Sequence, residues 1–111
     1  MIEKTIGEIE AQINRTATAT PEQKRELLQS LATLKAEISE LAKTHEAQAD
    51  SIQGFARVSA HEATRPDPQP QLLELSLHGL RSSVTGFEHS HPRLVQIVNS
   101  ISNTLASSII L

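Results

Sequence analysis

The sequence predicts an all-α protein, an antiparallel helical bundle or hairpin, and three features carry that prediction. Apolar residues recur at alternating intervals of four and three along most of the chain, which lays one stripe along a helix. Aromatic residues are limited to Phe55 and Phe87, so the core has to be aliphatic; that suits helix–helix seams better than the aromatic and β-branched pairs of sheets. Helix-start signals and proline breaks fall between the stripes rather than inside them. At 111 residues, one domain spanning 1–111 is expected. Its core has to be thin, because small domains keep much of their surface wet.

The first stripe is Ile2, Ile6, Ile9 and Ile13, with Glu3, Lys4, Glu8 and Glu10 on the other faces. Thr16, Thr18 and Thr20 follow, and three β-branched residues in five weaken a helix. The second segment opens on a clear start: Thr20 as cap, Pro21 at the first helical position and Gln23 completing a capping box. Its seam is Leu27, Leu31, Leu34, Ile38, Leu41 and His45, a coiled-coil-like heptad pattern clothed in mixed charges. Ile52 keeps the phase, so this helix is expected to continue to about Gly54, with a helical extension after a kink over 55–63.

Residues 64–71 form a proline-rich internal linker, since Pro66, Pro68 and Pro70 remove backbone donors and force extended geometry. The third stripe is Leu73, Leu77, Leu80, Val84 and Phe87; the fourth is Leu94, Val98, Ile101 and Leu105. Between them stand His91 and Pro92, and a helix break or kink is expected at this hinge. Two further patterns stand out. Ser76, Gly79, Ser83, Gly86 and Ser90 form a stripe of small residues, expected to face another helix. Residues 94–111 carry no charge, so their polar face is expected to be at least partly covered.

Phe87-Glu88-x-x-His91-Pro92-x-Leu94, followed by Asn99-x-Ile101-x-x-x-Leu105, resembles the C-terminal signature of a family of short bacterial helical proteins catalogued as a domain of unknown function, number 4404. The likeness is best over the last forty or so residues; the first fifty match as generic heptads. Family members often end in Gly-Ile after the last helix, whereas this chain ends Ser-Ser-Ile-Ile-Leu. The resemblance implies a helical fold and no known activity or site residues.

Composition narrows the function classes. The absence of Cys excludes disulfides, thiolate zinc sites and cysteine nucleophiles, and fits a reducing compartment. The N-terminus has no signal-peptide pattern and no run is apolar enough to span a membrane, so a cytoplasmic address is expected. Net charge is −3, with nine acids and six bases in residues 1–50 and four of each in 51–111. With no basic patch and no aromatic platform, nucleic acid is not an expected partner.

Candidate chemistry is sparse. Glu88, His89 and His91 could form a weak metal site only if the backbone breaks there, because residues two apart point to different faces of a helix. Three or four ligands would be needed, so no metal or cofactor is expected. His45 and His91 occupy seam positions, which a histidine near a helix end tolerates when its polar edge reaches water. No serine has an elbow motif or a base beside it. The reading is a non-catalytic protein–protein interaction or oligomerisation module. A homodimer is expected, to cover the long Leu27–Leu41 seam, and a further protein partner is possible on the same reading. Surface binding to a membrane through the uncharged C-terminal helix is the alternative, disfavoured by that helix's lack of a basic face.

Overall fold

The computed structural model describes residues 2–16 and 19–110, with side chains up to residue 107. Ala17 and Thr18, inside the expected threonine-rich interruption, lie outside the described residues, as does Leu111. Among the described residues the chain forms five helices and no strand: α1 (Ile2–Arg15), α2 (Pro21–Ala42), α3 (Glu46–Ala63), α4 (Pro70–Ser83) and α5 (Pro92–Ile110).

Helices α2 to α5 run up, down, up and down, each neighbour packing on the next and α5 closing back onto α2. Helix α1 lies over the groove between α2 and α3. The capping box at Thr20 is complete: Thr20 N–H donates to Gln23 Oε1 at 2.9 Å, and Gln23 N–H donates to Thr20 Oγ1 at 3.1 Å. Pro70 and Pro92 start α4 and α5, where a missing backbone donor has no cost, so the linker expected over 64–71 ends at Gln69 and Pro70 opens a helix instead of extending the chain.

Each expected stripe is core. Ile6, Ile9 and Ile13 of α1 are buried, as are Leu27, Leu31, Leu34, Ile38 and Leu41 of α2. So are Leu73, Leu77 and Leu80 of α4, Val84 just beyond it, and Leu94, Val98, Ile101 and Leu105 of α5; Phe87 is half-buried. The void where α1, α2, α3 and α5 meet measures about 10 Å³.

The structure corrects three expectations. The second segment does not continue to Gly54. It stops at Ala42, turns through residues 43–45 and restarts as α3, which passes through Gly54 and on to Ala63. His45 N–H still donates to Leu41 O at 2.8 Å, and the chain folds back after it. The reason is tertiary: folding back buries a second stripe, Ala49, Ile52, Ala56, Ala60 and Ala63, that a single long helix would leave wet.

The second correction concerns the seam of α2. The other helices of the same chain cover it completely, so the argument that a second copy must cover it falls away. The third concerns the polar face of α5. Gln96, Asn99, Ser100 and Asn103 are exposed within the chain, Ser100 beside Gln29 and Ser30 of α2, while Ser102 is fully buried.

Candidate functional site

The hinge region and the α3–α4 face hold the residues that sequence reasoning singled out. Helix α4 ends at Ser83, and turns occupy residues 84–90 before Pro92 opens α5. The interruption expected at the His91–Pro92 hinge is therefore present but begins earlier, at Val84. Gly86 lies in this turn with φ +99°, a left-handed conformation that suits glycine, and it is exposed. It is a turn residue rather than part of a packing stripe. Its N–H donates to Glu88 Oε1 at 2.9 Å, and His91 N–H donates to Phe87 O at 2.8 Å.

The turn brings Phe87 and His91 against His45, from the α2–α3 connection at the same end of the bundle. Ring centroids lie 5.4 Å apart for His45–Phe87, 5.6 Å for Phe87–His91 and 6.3 Å for His45–His91, all edge to face. Thr44 Oγ1 sits 2.7 Å from His45 Nδ1, and Ser90 Oγ sits 3.0 Å from His91 Nδ1. The cluster staples the two loops together. It does not assemble the conjectured metal group: Glu88 is bonded to the Gly86 amide, His89 is exposed and His91 turns to His45. Among the described residues no three His, Asp or Glu side chains gather to hold a metal ion.

At the opposite end Arg15, His61 and Arg65 border an open groove of about 320 Å³. Helices α1 and α3 both end here, so their carbonyl dipoles already account for basic residues. Arg65 donates to Glu62 Oε1 at 3.0 Å and lies 3.4 Å from Asp67. The Glu62 hydrogen bond raises the Arg65 pKa above its ordinary value, against some desolvation and with support from Asp67. Its charge is thus engaged within the chain.

The small-residue stripe has a packing role at two positions. Ser76 is buried, and a β-carbon added at Gly79 would overlap the Phe55 ring of α3. Gly79 lets that ring lie across the α3–α4 junction. Beside it runs an apolar edge that sequence reasoning missed: Phe55 is 40% exposed, Val58 44%, Leu72 45% and Leu75 68%. Leu72 and Leu75 stand three apart, outside the four-three stripe of α4, and that was the available signal.

Fold and surface together define a small helical bundle with a closed core and an exposed apolar edge. No helix among the described residues is long and apolar enough to cross a membrane. The chain belongs to the family described as a domain of unknown function (DUF4404), whose model matches residues 27–107. The match takes in α2 as well as the C-terminal signature, so the likeness reaches further than the last forty residues. No curated protein and no solved structure matches the chain.

Proposed function

We propose that the protein is a non-catalytic protein-interaction module that engages its partner through the outer face of α3 and α4. The observation that carries this reading is the edge of Phe55, Val58, Leu72 and Leu75. Four large apolar side chains are exposed along one helix pair, while the other large apolar side chains among the described residues are buried or partly buried. Single exposed apolar residues are ordinary, but a contiguous apolar edge on a small protein marks an interaction site. The hinge supports a structural role for the family signature, since Phe87, Glu88, His91, Pro92 and Leu94 all serve the corner between α4 and α5. A cytoplasmic setting suits the Cys-free composition.

Affinity capture from the native cells tests the reading, with the wild-type chain and a Val58→Glu, Leu72→Glu variant as baits. Both positions are exposed, so the variant keeps the fold. Proteins recovered by the wild type and lost by the variant support the reading. Identical recoveries overturn it.

A further inference from the structure

We infer that the partner on this face is a second copy of the chain, set antiparallel across α4 about a two-fold axis at Ser76; this rests on the interaction reading above. The outer row of α4 is Gln71, Glu74, Leu75, His78 and Arg81, which line an open groove of about 500 Å³. Its polarity runs one way, with the amide and the acid toward the N-terminal end and the two bases toward the C-terminal end. Reversal about Ser76 exchanges Gln71 with Arg81 and Glu74 with His78. A copy laid antiparallel on this face therefore meets acid with base on both sides of the axis, as closed two-fold symmetry requires. Glu74, His78 and Arg81 have no ion-pair partner among the described residues, although Glu74 and His78 stand one turn apart on the same helix. The Glu74 carboxylate and the Arg81 guanidinium are free to act between chains, and the His78 ring supplies a hydrogen-bonding edge to the carboxylate opposite it.

The apolar residues follow the same symmetry. The two Leu75 side chains come within about 3 Å of each other along the helix axis, because Leu75 lies one residue from the dyad. Leu72 of each copy reaches the level of Leu80 in the other, one residue from Gly79, where the Phe55 ring lies. With the axis running across the face, α4 meets α4 and α3 meets α3, so Phe55 and Val58 are covered as well. The area calls for both helices. A stable dimer buries about 800 Å² per partner, whereas α4 alone, about 21 Å long and 10 Å wide, presents far less.

Sedimentation equilibrium at micromolar concentration tests the inference. The wild type should sediment at twice 12.1 kDa, and Leu75→Glu, at an exposed position, should be a folded monomer by circular dichroism. Glu74→Arg should weaken association at least about tenfold by removing the carboxylate opposite His78 and setting two bases against each other. Adding His78→Glu to that variant should restore it. A monomeric wild type, a dimer indifferent to Leu75→Glu, or failure of the charge swap to rescue would each overturn the inference. A photo-crosslinking side chain at position 75, introduced in the native cells, separates the two readings. An adduct of twice the chain mass supports the second copy. An adduct with a different protein overturns the second copy and leaves the interaction reading standing, and no adduct removes both.

Discussion

Ser59 on α3 and Ser102 on α5 have no exposed surface, and neither hydroxyl has a hydrogen-bond partner among the described residues. A buried hydroxyl left unpaired costs about 1–3 kcal/mol. Ser59→Ala and Ser102→Ala should each raise stability by about 1 kcal/mol or more, read as a higher denaturant midpoint with an unchanged slope. An unchanged or lower midpoint would show that the hydroxyls are satisfied in solution. Gly86 behaves in the opposite way. Space around it is open, yet its φ of +99° disfavours any β-carbon. Gly86→Ala should lower stability by about 1–2 kcal/mol through the backbone alone, and Gly86→Asn, which tolerates positive φ better, should cost less.

Helix α3 was the element hardest to read. Nothing in Lys43-Thr44-His45 is a helix breaker, and the α2 seam runs on in phase through His45 to Ile52. What the phase concealed was a second stripe of small residues, Ala49, Ala56, Ser59, Ala60 and Ala63, which lets the neighbouring helices pack closely on α3. Those small residues carry a weak hydrophobic signal, so the turn at 43–45 is decided by burial rather than by local preference. Gly54 lies mid-helix with nothing within 4 Å of an added β-carbon. Gly54→Ala should therefore stabilise α3 by roughly 0.5–1 kcal/mol, measurable as a raised melting temperature. A loss of stability there would mean that the chain needs a weak point in α3.

The bundle as a whole rests on seams shared by several helices. Leu34 has no exposed surface and lies at the junction of α1, α2, α3 and α5. Leu34→Ala should cost about 2–5 kcal/mol, the range for an aliphatic truncation in a packed core, and should lower the midpoint of all five helices together. Separate transitions for α1 and for the α2–α5 bundle would show instead that α1 is an independent layer. The closed core also explains why the functional candidates lie outside it. The void among the helices is too small to hold a ligand, so the interaction proposed above is placed on the outer faces.

The sequence by itself determined that the protein is helical, where α1, α2 and α5 begin, which residues line the seams, and that the chain breaks before Pro92. These features are local. Caps, prolines and the three-four period act within a few residues and need no partner to be read. The tertiary structure alone decided the turn at 43–45, the cover of the α2 seam by its own chain, the meeting of His45 with Phe87 and His91, and the exposure of the Phe55–Leu75 edge. Each of these depends on which residues far apart in the chain come together. A stripe of apolar residues states that a face will be buried, but not which helix buries it. Leu72 and Leu75 look like any other leucines until the bundle closes and leaves them outside, because exposure is a property of the packed whole.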